Sequence, residues 1–179
     1  MAYPKITVNT GLALQVIASD TIPIPAPDLP QITGTNTSNT ADKLVDSAAN
    51  FSTVSIGDIV YNTATNAVAT VDAVDSNTIL ELSANIFTNA PNDTYIVFVG
   101  GPHGSARINS SEGCLLYVGS NVNPVTVSSS AVDVKVKTTA GSIVTFTNFP
   151  VGEYLPVQVL QLYATGTDAA ADNNCIAIW

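Results

Sequence analysis

Apolar and polar residues alternate one by one along most of this chain, and this alternation limits the folds that it can adopt. The stretch AVDVKVK (131–137) is the clearest example, with Val132, Val134 and Val136 separated by charged residues. A period of two is typical of a half-buried β-strand, whose successive side chains point to opposite faces of a sheet. No segment of helical length keeps apolar residues at positions i, i+3 and i+4 between its Gly, Pro and Asn residues. The sequence therefore predicts an all-β protein.

Neutral side chains supply most of the polarity of the sequence. The chain has 21 Thr and 16 Asn, whereas only 11% of its residues are charged. Thr favours strands and Asn favours turns, so this bias supports β-structure joined by tight turns. The low charged fraction also indicates that other protein surfaces cover part of the molecule, because interfaces between subunits are poor in Lys, Glu and Asp.

The few charges are mostly acidic, with 14 Asp and Glu against 5 Lys and Arg and a net charge of −9. A nucleic-acid-binding surface needs clustered basic residues, and only Lys135 and Lys137 lie near each other in the sequence. Nucleic acid and anionic membranes are therefore not expected as partners. The apolar stretch GLALQVIA (11–18) is too short to span a membrane and lacks the flanks of a signal peptide.

The first of three regions, residues 1–30, holds two strand-like pieces, KITVNT and LALQVIA, and then the proline-rich arm SDTIPIPAPDLP (19–30). Proline fixes φ and removes a backbone donor, so the arm is predicted to be extended. Its apolar side chains predict that it docks on protein, either along its own domain or across a neighbouring subunit. The interface residues expected in the arm are Ile22, Ile24, Pro25, Pro27 and Leu29.

The second region, residues 31–100, is predicted to form a small five-stranded β-barrel of SH3-like or OB-like size. A polar lead-in, QITGTNTSNTADK, precedes five strands in meander order, namely KLVD, GDIVYN, AVATVDAVD, TILELS and TYIVFV. A unit of about 70 residues buries only about 60% of the surface that its unfolded chain exposes, so we expect it to lean on the rest of the chain.

The third region, residues 101–179, starts with a Gly/Ser-rich connection and continues with strand patterns to the end of the chain. These are GCLLYVGS, PVTVSSS, AVDVKVK, IVTFTNF, YLPVQVLQLYATG and CIAIW. They predict a β-sandwich or jelly-roll-like domain that packs with residues 1–30. The apolar residues change register after Val159, which predicts a β-bulge or burial on both faces. Ile178 and Trp179 are expected either to be held in a sheet or to contact another subunit.

Residues that could support catalysis or bind a metal are few. His103 is the only histidine, and Cys114 lies in an apolar strand pattern, so a Cys–His nucleophile is not expected. Cys114 and Cys175 are expected to be buried free thiols, with a disulfide between paired strands as the alternative. The acidic stretches DAVDSN (72–77) and TDAAADNN (167–174) lack the spacing of a calcium loop and are interpreted as solvated turns. The sequence predicts no catalytic, cofactor or metal site and no enzymatic activity.

The last third of the chain carries a recognisable pattern of turns and apolar residues. Its segments are LLYVGS (115–120), IVTFTNFPVGEYLPVQV (143–159), YATGT (163–167) and the terminal IAIW. The pattern resembles virion structural proteins of tailed phages and gene transfer agents, and is similar to head decoration (cement) and head spike-base proteins. In that family an acidic, proline-containing segment leads quickly into the LYVG strand, so residues 31–100 resemble an insertion. The resemblance covers residues 19–30 and 113–179, and KLVDSAANFSTVSIGDIVYN also looks like modules of phage structural proteins.

This resemblance implies a non-enzymatic protein of the outer capsid surface that forms a small oligomer, often a homotrimer. It would bind the major capsid protein and stabilise the head, or carry a spike, with the proline arm as a strap and Trp179 as an anchor. An acidic chain suits the outer surface, because the inner surface faces polyanionic DNA. The alternative is a receptor- or glycan-binding module of a tail, neck or fibre. That role requires exposed aromatic residues in loops, whereas the tyrosines mostly fall inside strand patterns.

Overall fold

The computed structural model describes residues 12–26, 29–89, 91–100, 113–119, 131–168 and 174–179. These residues contain β-strands and no helix, so the all-β prediction is confirmed. The strands are β1 Ala13–Gln15, β2 Gln31–Thr35, β3 Lys43–Val45, β4 Ile59–Asn62, β5 Ala67–Ser76, β6 Ile79–Leu82, β7 Thr94–Phe98, β8 Leu115–Val118, β9 Ala131–Thr138, β10 Ile143–Pro150, β11 Val159–Leu162 and β12 Cys175–Ile178. All of their pairings are antiparallel, and the sheets are curled and include a half-barrel. No helix long and apolar enough to cross a membrane occurs in these ranges.

The chain divides into two compact units. Unit 1 comprises Met1–Val16 and Ser111–Trp179, and unit 2 comprises Ile17–Ser110. The sequence placed its boundaries at residues 30 and 100, whereas the structure divides the chain near residues 16 and 110. Consequently the part of the proline arm that the structure describes belongs to unit 2. The strand pattern KITVNT lies outside the described residues.

Unit 2 is built on one six-stranded sheet with the order β2-β7-β4-β5-β6-β3. Strands β4, β5 and β6 follow one another as the predicted meander, but β7 pairs with β4, and β3 pairs with β6. The stretch Gln31–Thr35, predicted to be a polar lead-in, is edge strand β2 and pairs along its length with β7. Its sequence gives little sign of a strand, because Ile32 is its only large apolar residue and its exposed positions are polar.

The core of unit 2 comes from the inward-facing residues of these strands together with two loop phenylalanines. Phe51 and Phe87 are fully buried and bring aromatic rings to Tyr95, at centroid distances of 6.1 and 6.4 Å. The buried members of this cluster are Leu44, Phe51, Val54, Val60, Ala69, Val71, Leu80, Leu82, Ile86, Phe87, Tyr95 and Val97. Burying each large aliphatic side chain contributes about 1.5–3 kcal/mol, so unit 2 has an apolar core of its own.

Unit 1 contains two three-stranded sheets, with the orders β1-β12-β8 and β10-β9-β11. Isolated bridges join them: Cys114 pairs with Val159, and Tyr117 pairs with Tyr154. Five backbone hydrogen bonds of 2.8–3.0 Å connect β8 and its preceding residue to the segment from Gly152 to Val159. The segment before β11 therefore runs alongside β8 and links the two sheets. The predicted strand PVTVSSS lies outside the described residues.

The C-terminal strand β12 lies in the middle of its sheet. Leu14 is opposite Ala177 on one side, and Leu116 is opposite Ala177 on the other. Ala177 and Cys175 are fully buried, whereas Ile176 faces the more exposed side. The apolar C-terminus is thus explained within a single chain, because a central strand contributes backbone hydrogen bonds to two neighbours.

Strands β9 and β10 form the predicted hairpin. The turn at Thr138–Ser142 contains Gly141 with φ +84°, a conformation that glycine adopts without steric cost. The predicted register change in the following strand is also confirmed, since the pairing of β11 with β9 shifts between Val159 and Gln161. Both Val159 and Leu162 are buried as a result.

We expect removal of residues 175–179 to prevent unit 1 from folding, because both neighbours of β12 would lose their partner. The decrease in the free energy of unfolding should exceed the total stability of a typical domain, which is about 5–15 kcal/mol. Limited proteolysis followed by mass spectrometry checks this, with new cleavage sites expected in β8–β11. A chain that ends at Ile178 is the control, since it loses only the Trp179 residue and its backbone hydrogen bond to Leu12. If the chain without residues 175–179 has the same cleavage pattern as the full chain, β12 does not have this central role.

Candidate interaction surface

Strand β10 exposes apolar side chains at the edge of the described β10-β9-β11 sheet. Ile143 is 56% exposed and Val144 is 37% exposed, while Phe146 and Phe149 are half-buried. The neighbouring strand β9 instead alternates regularly between buried and half-buried residues. Apolar area is thus left open to solvent where the sheet ends, and we call the residues Ile143–Phe149 the β10 edge.

The pairing register shows which face each of these side chains occupies. Val144 lies opposite Val136, and Phe146 lies opposite Val134, so both share the face of the buried β9 valines. Ile143 lies opposite Lys137 and therefore belongs to the other face. The β10 edge consequently presents apolar residues on both faces of the sheet.

A β-bulge in β10 keeps its two phenylalanines on the same face. The register with β9 shifts between Phe146 and Phe149, and Asn148 adopts a left-handed φ of +52°. The backbone N–H of Asn148 donates a 2.8 Å hydrogen bond to the Asp133 carboxylate, which holds the bulge. As a result the Phe146 and Phe149 rings are in T-shaped contact at 6.1 Å.

The backbone groups of Ile143 and Thr145 point away from β9. The backbone N–H of Thr138 donates a hydrogen bond to the Ser142 carbonyl on the β10 side. The Lys135 carbonyl accepts a hydrogen bond from the Tyr163 N–H on the β11 side. Along an antiparallel pair of strands, residues whose backbone groups bond to the partner strand alternate with residues whose groups point away from it. The even-numbered residues of β9 therefore bond to β10, and the odd-numbered ones do not. Their odd-numbered partners in β10 therefore direct N–H and C=O outward. In the described part of the chain, β10 pairs with β9 alone.

Charged residues flank the β10 edge and are absent from it. The sequence from Thr138 to Gly152 contains no charged residue. On the outer face of β9, the Lys135 ammonium lies 5.1 Å from the centre of the Tyr163 ring. Asp168 accepts a hydrogen bond from the Asp133 N–H at 2.8 Å. These polar contacts fix the loop after β11 and leave the edge strand neutral.

The predicted interface residues of the proline arm are mostly covered within a single chain. Ile22 is 8% exposed and Ile24 is 3% exposed, and Pro25 is also buried. Leu29 is half-buried, and Pro27 lies outside the described residues. This burial is what an arm lying along its own chain predicts. Contact with a neighbouring subunit stays a prediction.

The predicted C-terminal interface residues are partly covered. Ile178 pairs with Ala13 and Leu115, and the Trp179 N–H donates a 3.1 Å hydrogen bond to the Leu12 carbonyl. Both side chains remain half-buried. The backbone of the terminus is therefore held in its own sheet, while an anchoring role for the indole stays a prediction.

The two cysteines are buried free thiols, as expected. Cys175 lies opposite Val118, four residues along the strand from Cys114. Four residues of strand span about 13 Å, which far exceeds the Cα separation that a disulfide can bridge. The Cys114 thiol instead donates to the Val159 carbonyl at 3.3 Å. The alternative of a disulfide between paired strands is therefore wrong.

The candidate catalytic and metal-binding residues do not come together in the described part of the chain. His103 and Asp172 lie outside it. In the stretch 72–77, Asp75 binds the Lys43 ammonium, and this hydrogen bond raises the pKa of the lysine. Among the described His, Cys, Asp and Glu residues, no group of three is placed to hold a metal ion.

Several of the polar side chains that unit 2 buries are tied to a strand or loop. Asn62 donates to the Ile86 carbonyl at 2.8 Å and to Asp93 at 3.0 Å. The Tyr95 hydroxyl donates to Asp46 at 2.7 Å. Burial raises the pKa of Tyr95 above its ordinary value, and the hydrogen bond to Asp46 raises it further. These contacts fasten loops to the sheet, which is a structural role.

Comparison of the chain with protein-family models, with curated proteins and with solved structures finds no match. The resemblance to phage head proteins therefore stays a prediction from the sequence. The β10 edge was not predicted as a site, because the strand pattern IVTFTNF does not show where its sheet ends. The signal that could have indicated it is the adjacent apolar pair Ile143–Val144 in a strand without charge.

We expect Asn148→Ala to lower the free energy of unfolding by about 1–2 kcal/mol, because alanine is strained in the left-handed conformation. Asn148→Gly should change it by about 0.5 kcal/mol or less, since glycine adopts this φ freely. Urea unfolding measures both, with Thr147→Ala as the neighbouring exposed control. Equal losses in the alanine and glycine variants would show that the bulge does not depend on this φ.

Stability should also fall at alkaline pH through Tyr95. Because its pKa is raised in the folded chain, the unfolded chain loses the phenolic proton first as the pH rises past 10.0. The stabilisation is complete below that pH and decreases above it by up to about 1.4 kcal/mol per pH unit. Urea unfolding of wild-type and Tyr95→Phe chains should therefore show a stability difference that narrows above pH 10. The exposed Tyr154→Phe is the control, and a pH-independent difference for Tyr95→Phe would contradict the assignment.

Proposed function

We propose that this protein is a non-enzymatic structural component of a phage virion, on the outer surface of the capsid. It acts as a decoration (cement) or head spike-base protein that forms a small oligomer and binds the major capsid protein. By bridging adjacent capsid subunits it stabilises the head against the pressure of packaged DNA. The resemblance implies a homotrimer, and we infer a sandwich or jelly-roll-like arrangement of the unit 1 sheets.

One observation carries this proposal: the segments of the last third that carry the resemblance meet in unit 1, although the proline arm, which the resemblance also covers, belongs to unit 2. LLYV is β8 and pairs with the terminal IAIW strand β12. The segment 143–159 supplies β10 and the stretch that runs alongside β8. A shared pattern that is spread over distant segments has a structural meaning when those segments are neighbours in one unit. The spatial proximity of these segments supports a common architecture more strongly than the sequence pattern alone.

The surface chemistry supports assembly with other proteins. The β10 edge is uncharged and exposes Ile143 and Val144, as a patch that is covered in an assembly would. The net charge of −9 favours the outside of a capsid over the inside, where the chain would be repelled by DNA phosphates.

A second candidate function is a receptor- or glycan-binding module of a tail, neck or fibre. Tyr154 favours it, because this ring is 52% exposed and lies outside the regular strands. It contacts Tyr117 at a centroid distance of 5.4 Å. Exposed aromatic rings of this kind can stack on sugars, so Tyr154 is the residue on which the alternative depends.

Co-sedimentation distinguishes the two functions. We expect the full chain to sediment with empty capsids assembled from the major capsid protein of the same genome, and to raise the temperature at which they disassemble. Binding to host cell envelopes instead, with loss of that binding in Tyr154→Ala, would favour the second function. Absence of capsid binding across the concentrations at which weak complexes form, about 1 µM to 1 mM, would contradict the proposal.

A further inference from the structure

We propose that the β10 edge pairs with the β10 edge of a second copy of this chain. The two strands run antiparallel across a two-fold axis and join the β10-β9-β11 sheets of two protomers. This inference goes beyond the proposed function, because a two-fold contact takes the place of the homotrimer. It names the contact surface, and it predicts two chains where the resemblance implies three.

Backbone geometry is the first argument. Ile143 and Thr145 direct N–H and C=O groups away from β9, and within the described residues no strand pairs with them. An antiparallel copy of the same strand offers donors and acceptors in the complementary order. A two-fold contact of this kind is self-complementary, which is the usual arrangement in symmetric dimers.

The side chains of Ile143–Phe146 are the second argument, because this part of the strand lacks the charges and prolines that protect exposed sheet edges. Edge strand β3 carries Lys43, which binds Asp75 and lies 3.9 Å from Glu81. Edge strand β2 has polar, exposed residues at Gln31, Thr33 and Thr35. Strand β10 has Ile143 exposed on one face and Val144 on the other. Its bulge and Pro150 both lie beyond Phe146, so Ile143–Phe146 is regular and pairs with β9 alone among the described strands.

Charge is the third argument, and it selects a second copy as the occupant. Two copies of a chain with a net charge of −9 repel each other over most of their surfaces. The uncharged segment from Thr138 to Gly152 lets them approach without placing like charges opposite each other. Beyond Thr145, the half-buried rings of Phe146 and Phe149 can add apolar contact on the inner face.

A matched pair of proline variants tests the backbone part of the proposal. Thr145→Pro removes an N–H that points away from β9, so the hairpin keeps its ladder while the edge loses a donor. Thr33→Pro is the control: β2 bonds to β7 through Pro30 and Asn36, so Thr33 also points its N–H outward at an exposed edge. Sedimentation equilibrium of the full chains should give two chains for wild type and Thr33→Pro. It should give a single chain of 18.5 kDa for Thr145→Pro.

A charge variant tests the contact without altering the backbone. Ile143 lies opposite Lys137, so Ile143→Glu gains a favourable cross-strand pair within its own protomer. In the dimer it brings two acidic side chains to the same interface. We expect the dissociation constant to rise by at least about tenfold, and high salt to restore part of the affinity. Thr33→Glu is the control on the other edge.

The outcomes separate this inference from the proposed function. A wild-type mass of one or three chains overturns the two-fold contact, and so do Thr145→Pro and Ile143→Glu chains that remain dimeric. If either result accompanies co-sedimentation with capsids, the virion function stands and the edge contact fails. If the variants dissociate as expected and the dimer does not bind capsids, the edge contact stands and the virion function fails. Circular dichroism of each variant confirms that a change of mass does not reflect unfolding.

Discussion

Antiparallel backbone pairing is the constraint on which the rest of this structure depends. A strand satisfies half of its N–H and C=O groups through each neighbour, so a sheet must either continue or end at an edge. In unit 1, β12 has a neighbour on both sides and buries Cys175 and Ala177. Strand β10 has one described neighbour and leaves Ile143 exposed. The same interaction that holds the C-terminus in the fold leaves β10 with an open side among the strands that the structure describes.

Because charged residues are scarce in this chain, neutral polar side chains make many of the contacts that connect loops to strands. Asn36 is fully buried and accepts a hydrogen bond from the Val45 N–H while donating to the Ser38 carbonyl. Asn62 connects the end of β4 to two loops in the same way. A buried polar group that is hydrogen-bonded avoids the cost of desolvation, which is about 1–3 kcal/mol when its partner is missing. The abundance of Asn thus reflects buried cross-links in addition to turns.

Much of the fold could be predicted from alternation and turn residues. The hairpin of β9 and β10, the bulge near Val159 and the strand character of the C-terminus all follow from local patterns. Strand β2 could not be predicted, because an edge strand needs few apolar residues. The order of the six strands in unit 2 could not be predicted either, since β3 and β6 are brought together by long-range packing that leaves no local signal.

The β10 edge could be identified only from the structure, because its exposure depends on strand order. A pattern of alternation assigns a face to Val144, but only the pairing register shows that the face stops at β10. The arm residues illustrate the converse: apolar Ile22 and Ile24 predict burial, and the sequence does not say which surface supplies it. Whether an apolar residue is covered by its own chain or by another is decided by strand order, which is a property of the whole unit.

Amide hydrogen exchange at different protein concentrations tests most directly whether another chain covers the β10 edge. If β10 pairs with a second copy, the outward amides of Ile143 and Thr145 are protected at concentrations well above the dissociation constant and exchange rapidly on dilution. The amides of Val144 and Phe146, which face β9, remain protected throughout. Exchange at Ile143 and Thr145 that is fast at every concentration would contradict the claim that another chain covers this edge.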